Sequence, residues 1–131
     1  MATGQYQAKF GGGDLAAETS QTDMPILGEP DIADITSVLA PKRCRLIAIE
    51  VVAKPATGDT VTVQAIINGS AVGPTALATN ALPTQLVSVG PNDGIACDTG
   101  QTIAMGYTTT TAGTYTARDI YAEAIFELLD D

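Results

Sequence analysis

The segment that decides the fold is Thr60-Val61-Thr62-Val63-Gln64-Ala65-Ile66-Ile67-Asn68-Gly69. Its first part places an apolar side chain at every second position, which is the pattern of a strand with one buried face. Asn68-Gly69 then supplies the residues that most readily adopt the positive φ angles of a type I′ turn. The segment therefore predicts a β-strand that enters a tight hairpin and continues as its antiparallel partner.

Other strand candidates lie on both sides of this hairpin. Residues 44–54 are apolar on both faces, which indicates a central strand covered on both sides. Shorter runs, separated by segments rich in Gly, Pro, Asn and Asp, are residues 32–39, 70–72, 75–79, 84–89 and 102–108. Short strands with turns between them predict an all-β fold, an antiparallel, jelly-roll-like β-sandwich.

The last apolar segment, residues 116–129, fits two periods. Ile120, Ala124 and Leu128 would form a helical stripe. Read as a strand, the same segment has one continuous apolar face, formed by Ile120, Ala122, Ala124, Phe126 and Leu128. A strand is favoured, because neither an N-cap residue nor a C-terminal glycine brackets a helix.

Residues 1–31 differ in composition from the rest, with a triglycine at residues 11–13 and a polar run over residues 18–23. Their apolar residues follow neither a helical nor a strand period: Tyr6, Phe10, Leu15, Met24, Ile26 and Leu27. We predict an extended N-terminal arm, residues 1–31, and a β-sandwich domain, residues 32–131. An arm of this composition is ordered only when something holds it, whether its own domain, a sister subunit or a partner.

Charge and composition exclude several function classes. The formal net charge is −9, which repels nucleic acid and anionic membranes, so neither is an expected partner. No apolar run approaches the roughly 20 residues that cross a bilayer as a helix. Three of the six basic residues lie together, namely Lys42, Arg43 and Arg45. They form either an ordinary surface patch at the start of a strand or a docking patch for an acidic partner or a neighbouring copy.

The residue types that carry catalysis are scarce. The chain has no histidine, which removes Ser–His and Cys–His nucleophile pairs and most catalytic zinc sites. Asp59, Asp93 and Asp98 fall in turn sequences, where Asp bonds to its own backbone; calcium binding by these loops is the alternative. We expect no catalytic residue, no metal and no cofactor, and therefore no enzyme.

The two cysteines, Cys44 and Cys97, each lie among apolar residues. The expected state is a pair of reduced, buried thiols that behave as small apolar side chains. A single disulfide between them is the other possibility that the sequence leaves open.

The stretch from Arg45 to Leu129 resembles a β-sandwich module of tailed-bacteriophage virion proteins. The resemblance runs through the apolar strand at residues 46–52, the glycine turn at residues 56–60 and the alternating strand that ends in Asn68-Gly69. A second glycine-led strand at residues 99–103 and the long apolar last strand complete it. With a short chain and an N-terminal arm, the pattern is most similar to a capsid decoration, or cement, protein.

The resemblance implies a homotrimer on the outside of a phage head, made in the host cytoplasm, whose partner is the major capsid protein or another virion protein. The arm would be the anchor, through its six apolar residues, and its deletion over residues 1–28 would leave a folded sandwich. Two alternatives stay open. One is another phage component, such as a head fibre, neck or tail protein. The other is a carbohydrate-binding or adhesion module that would use Tyr107, Tyr115 and Tyr121 as an aromatic platform.

Overall fold

The computed structural model describes residues 2–16, 18–27, 35–53, 55, 58–89, 95–110 and 116–129, without side chains at 2–3, 12–16 and 116–119. These residues form strands and no helix, and none of them belongs to a helix that is long and apolar enough to span a membrane. The strands are β1 Ala2–Ala16, β2 Thr22–Asp23, β3 Ser37–Leu39, β4 Cys44–Val52, β5 Thr60–Ile67, β6 Ser70–Thr79, β7 Thr84–Ser88, β8 Ile95–Cys97, β9 Thr102–Thr109 and β10 Thr116–Leu129.

The strands form two antiparallel sheets that pack face to face. Sheet A has the order β1-β10-β4-β7, and β8 also pairs with β4. Sheet B has the order β2-β9-β5-β6, and β3 also pairs with β9. The fold is thus an all-β antiparallel sandwich, which confirms the predicted class.

The pairings are nested along the chain in the manner of a rolled-up hairpin. The outermost pair joins β1 to β10, the next joins β2 and β3 to β9, and then come β4 with β7 and β8, and β5 with β6. Successive pairs alternate between the two sheets, which is how a jelly roll is wound. The innermost hairpin is the one predicted from Asn68-Gly69, with φ angles of 53° and 84° at these two residues.

The N-terminal segment is the first strand of this jelly roll. Gln5, Gln7 and Lys9 are exposed, whereas Ala8 and Phe10 between them are 2% and 0% exposed. This alternation is the period of a half-buried strand, because successive side chains point to opposite faces. β1 pairs with β10 along its whole length, from Ala2 opposite Leu129 to Ala16 opposite Thr116.

The division into an arm of residues 1–31 and a sandwich of residues 32–131 therefore needs correction. β1 is an edge strand of sheet A, and β2 an edge strand of sheet B. The predicted lack of a strand period was wrong for residues 5–10. Of the three supports considered for an ordered arm, the chain's own domain is the one observed. Residues 1, 17 and 28–31 lie outside the described part.

The other strand predictions hold with changed bounds. Residues 116–129 form a strand, β10, as favoured over a helix. Residues 70–72 and 75–79 belong to one strand, β6, and not to two. The first predicted strand, residues 32–39, is reduced to Ser37–Leu39 in the part described, since residues 32–34 fall outside it.

The core lies between the sheets and draws on strands from both ends of the chain. Its largest fully buried side chains are Phe10, Phe126, Met24, Leu46, Ile49, Ile103, Met105 and Ile120. Burial of one such side chain contributes about 1.5–3 kcal/mol. Two of these residues precede residue 32, so the N-terminal segment supplies part of the core and does not merely lie on it.

Gly11 lets β1 bend while it stays paired. Its φ angle is 86°, and the register between β1 and β10 shifts after it. A Cβ atom at this position would come within 2.2 Å of the Ile120 carbonyl oxygen and 2.9 Å of Met24 Cε. Its N–H donates to the Pro25 carbonyl over 2.8 Å, which ties sheet A to the segment leading from β2. Only glycine fits both the angle and the space.

We predict that Gly11→Ala destabilises the fold much more than Gly100→Ala does. Gly100 has a similar φ angle of 82°, but a Cβ atom there meets nothing within 4 Å. Both variants therefore carry the left-handed penalty of about 1–2 kcal/mol. Gly11→Ala adds a clash worth about 1–3 kcal/mol. Denaturant unfolding of the two variants measures the difference, and equal losses would contradict the role given to Gly11.

A chain that lacks residues 1–16 is predicted not to fold. Removal of β1 takes Ala8 and Phe10 out of the core and uncovers the inner side of β10, including Ile120 and Phe126. Circular dichroism and the cooperativity of thermal unfolding are the measurements. A truncated chain with a sharp, native-like transition would restore the separate arm. The full-length chain carrying Gln7→Ala, an exposed position on the same strand, is the control.

Candidate protein-interaction surface

The six predicted arm anchors are not equivalent in the structure. Phe10 and Met24 are 0% exposed in the core of their own chain, so they cannot anchor a partner while the fold is intact. Tyr6 and Ile26 pack against the same core and are partly buried. Leu27 is 40% exposed. Leu15 lies in β1, but its side chain is outside the described part.

The three basic residues lie at the entrance to β4. Lys42 and Arg43 occupy the bend before the strand, and Arg45 is its second residue. Arg45 forms an ion pair through Nη2 with Glu127 Oε2 of the neighbouring β10, which faces it in register. The Arg45 charge is therefore balanced within the chain.

The tyrosines proposed as an aromatic platform are on different sheets. Tyr107 is 3% exposed in β9 of sheet B. Tyr121 is half-buried in β10 of sheet A, where its hydroxyl donates to Glu123 Oε2 over 3.0 Å. Tyr115 lies outside the described residues. Two rings in separate sheets, one of them in the core, do not form a flat stacking surface.

The outer face of sheet A carries a pair of carboxylates. Glu50 and Glu123 are directly opposite each other on β4 and β10. Glu123 is 8% exposed, and its Oε1 has no hydrogen-bond partner among the described residues. Burial raises the pKa of Tyr121 to about 12, assisted by its hydrogen bond to Glu123 and by the negative charges of Glu123 and Glu50. The described residues contain no group of three or more potential metal ligands.

One flank of the sandwich has no charge at all. β6 and β7 are edge strands of the two sheets on the same side, and Leu77 N–H donates to Gln85 Oε1 across the gap between them. We call β6, β7 and the intervening residues 80–83 the uncharged flank. Residues 60–92 include no Asp, Glu, Lys or Arg, so all of the charges in this chain of net charge −9 lie elsewhere.

The uncharged flank exposes three leucines. Leu82 is 65% exposed, Leu86 57% and Leu77 40%. Leu77 lies on β6 and Leu86 on β7, and Leu82 lies in the segment that joins these strands. Leu77 lies on the outer face of sheet B, since Ala76 and Ala78 on either side of it are buried, and Leu86 lies opposite Glu50 of β4 on sheet A. Single exposed leucines are common, but three on two adjacent edge strands and the segment that joins them are typical of a contact surface.

The segment that carries Leu82 is held by hydrogen bonds on both sides. Thr79 and Leu82 bond to each other twice, since Thr79 N donates to Leu82 O and Leu82 N donates to Thr79 Oγ1, each over 2.9 Å. Asn80 Nδ2 donates to Pro55 O over 3.0 Å, and Ala53 N donates to Pro83 O over 2.9 Å. The segment that carries Leu82 is therefore ordered before a partner binds, so little conformational entropy is lost when the contact forms.

A shallow depression of about 260 Å³ lies at the end of this flank. It is lined by Gly58, Asp59, Thr60, Thr79, Asn80 and Ala81. It is smaller than the roughly 300–1,000 Å³ of most small-molecule sites. Two of its lining residues, Asn80 and Ala81, belong to the segment that carries Leu82.

The opposite flank also exposes large apolar side chains, beside the charged residues Lys9 and Asp23. It is formed by β1, β2, β3 and the residues that follow β2, which are bonded together through Leu27 N to Lys9 O and Ile26 N to Ile35 O, each 3.1 Å. Leu39 is 62% exposed, Ile35 41% and Leu27 40%. Every large apolar side chain that is strongly exposed in the described part of the chain lies on one of these two flanks.

Sequence reasoning found Leu27 but missed the uncharged flank. The signal was present as a run of 33 residues, 60–92, without a charge in a chain that is 16% charged. The sequence alone does not show that this run forms one surface, because only the sheet order shows that β6 and β7 are both edge strands on the same side.

Comparison with known proteins shows the fold and no family. No protein-family model matches the chain, and no curated protein matches it in sequence. Among solved structures, the PRD1 vertex protein P5 is similar with a TM-score of 0.53 and 14% identity, over 99% of both chains. This likeness supports a jelly-roll β-sandwich, and at such identity it shows the fold alone.

Two further similarities are weaker. The carbohydrate-binding module CBM36 in complex with calcium and xylotriose has a TM-score of 0.45 and 16% identity, over 97% of this chain and 91% of that one. The globular domain of a zebrafish complement 1qA protein has a TM-score of 0.47 and 11% identity, over 96% of each chain. With TM-scores below 0.5, neither carries an argument about function.

Tyr121 is predicted to make the fold sensitive to base. Its folded pKa, about 12, exceeds the ordinary value of 10.0, so its contribution to stability is complete below pH 10 and lost as the pH rises through 12. Tyr121→Phe removes this contribution and should flatten the decline of unfolding free energy between those values. Denaturant unfolding at several pH values, with ultraviolet titration of tyrosinate, tests it. Identical pH profiles for the two proteins would contradict it.

Proposed function

We propose that this chain is a structural virion protein, a capsid decoration protein that binds the outside of a phage head and stabilises it by bridging capsomers. The partner is the major capsid protein or another virion protein, and the chain acts as a homotrimer without catalytic activity. It is made in the host cytoplasm and resides on the capsid surface.

The observation that carries this proposal is the uncharged flank with its three exposed leucines. Edge strands of stable sheets normally carry charged residues that discourage pairing with other chains. β6 and β7 carry none. Such a side is costly for a protein that works alone, and it suits a protein whose edges are covered in an assembly.

The two apolar flanks also support assembly of identical copies. They lie at opposite ends of both sheets, so one copy can present β6 and β7 to the β1–β3 side of the next. A contact of this head-to-tail type closes into a ring when the rotation permits it. The net charge of −9 lies outside the uncharged flank and repels other copies, which favours contacts that include this flank.

The uncharged flank takes the place of the predicted arm as the main means of attachment. Because Phe10 and Met24 are core residues, the N-terminal segment contributes through Leu27, and the main contact moves to Leu82 and Leu86.

The fold shared with the PRD1 vertex protein P5 fits a virion role but does not separate decoration from other phage components. A head-fibre, neck or tail protein is therefore the second candidate, with few copies per particle. The positions of Tyr107 and Tyr121 weigh against a carbohydrate-binding module.

A binding assay with heads of the phage that encodes the chain tests the role. Leu82→Glu is expected to bind purified heads about tenfold or more weakly than the unaltered chain, because it places a charge on the most exposed leucine of the proposed contact. Thr99→Glu adds the same charge at an exposed position in the turn between β8 and β9, outside both flanks, and should bind normally. Co-sedimentation with heads gives the affinity and the number of copies bound.

Three outcomes separate the readings. Hundreds of copies per head, lost with Leu82→Glu and kept with Thr99→Glu, support decoration. Saturation at a few copies at a vertex or tail points to the second candidate. Full binding by Leu82→Glu overturns the role of the uncharged flank. Light scattering of the free protein reports whether Leu82→Glu also breaks the expected trimer.

A further inference from the structure

Cys44 and Cys97 are brought together by the fold. Cys44 opens β4, Cys97 closes β8, and the two residues are directly opposite each other in the antiparallel pair. Both are 0% exposed and both are free thiols in this structure. The sequence left open whether they meet, because they are far apart along the chain.

The register places them within reach of a disulfide. Directly opposed residues of antiparallel strands have Cα atoms about 4.5–5.5 Å apart and side chains on the same face. A disulfide requires Cα atoms about 4.4–6.8 Å apart, so the two ranges overlap without movement of the strands. Both side chains are fully buried in the same core cluster, so they share one apolar environment.

We propose that Cys44 and Cys97 form a site of reversible oxidation, in which a disulfide oxidant such as oxidised glutathione converts the two thiols into a cross-strand disulfide between β4 and β8. This inference does not depend on the proposed virion role. The bond would close the chain from residue 44 to residue 97, a loop that includes β5, β6 and β7. The strands of the uncharged flank, β6 and β7, would then lie within a covalently closed loop.

The reaction proceeds by two thiol–disulfide exchanges. The thiolate of one cysteine attacks a sulfur of oxidised glutathione, forms a mixed disulfide and releases one glutathione thiolate. The second cysteine loses its proton and attacks the protein sulfur of that mixed disulfide, which forms the Cys44–Cys97 bond and expels the second glutathione. The two cysteines lose two electrons and two protons, and one oxidised glutathione becomes two reduced molecules.

The native packing controls access to the pair. Burial raises the pKa of Cys44 to about 12, so the closed protein holds almost no reactive thiolate near neutral pH. β8 is only three residues long, and among the described residues it pairs with β4 alone, at the edge of sheet A. Detachment of this short strand exposes both sulfurs without unfolding the sheets, so oxidation is expected to follow local opening.

The test is incubation of the full chain with oxidised glutathione, both folded and during refolding from denaturant. We expect a monomeric product that has lost two hydrogens by intact mass, with no free thiol in Ellman titration and no bound glutathione. Its unfolding temperature should rise by roughly 10 °C, since the bond restricts a loop of more than 50 residues in the unfolded chain. Dithiothreitol should return both values to those of the reduced protein.

Cys44→Ala and Cys97→Ala are the matched controls. Each leaves a single cysteine, which should take up one glutathione when β8 opens and gain no thermal stability. Peptide mapping of the oxidised full chain identifies the bond. Separate glutathione adducts on the two cysteines, cross-linked dimers, or two free thiols after refolding in oxidised glutathione would each overturn the proposal.

Discussion

The pairing of the first strand with the last is the constraint on which the rest of the structure depends. β1 and β10 form the outermost pair of the rolled hairpin, and each supplies one of the chain's two phenylalanines to the core. Both rings are fully buried, and Tyr6 packs on Phe126 with ring centroids 6.2 Å apart. Without this pair β10 becomes an edge strand and the inner pairs lose one wall of the core, so the flanks exist only because the chain's two ends meet.

The sequence predicted the strands whose signals are local. Asn68-Gly69 specifies its own turn, and the apolar alternation around it specifies both faces of β5, so neither needs distant information. β1 was missed because Gly11 and its neighbours mark a flexible segment when read locally. In the fold, Gly11 lies at a bulge where a Cβ atom would clash with the carbonyl oxygen of Ile120. Ile120 lies near the other end of the chain, so this requirement for glycine is not visible in the local sequence. β1 forms a strand because it pairs with β10, which is distant from it in the sequence.

The candidate surface was also missed because it depends on which strands become neighbours in the fold. Exposure of Leu82 and Leu86 cannot be read from their immediate neighbours, since an apolar residue in a β-protein is expected inside unless its strand is known to be an edge. The same limit applied to the tyrosine platform, because placing Tyr107 and Tyr121 on different sheets requires the strand order. The absence of histidine could be read directly, because it holds whatever the fold.

Segregation of charge links the fold to the proposed role. A net charge of −9, none of it within residues 60–92, disfavours contacts between copies that do not involve the uncharged flank. An open edge without charges would by itself invite unlimited strand addition. Gly73 and Pro74 lie at an irregularity within β6, where its register with β5 shifts, and Pro74 lacks the N–H that a continuous ladder needs. Side-chain contact through Leu82 and Leu86 is therefore favoured over strand pairing, and contacts of that kind can end in a closed assembly.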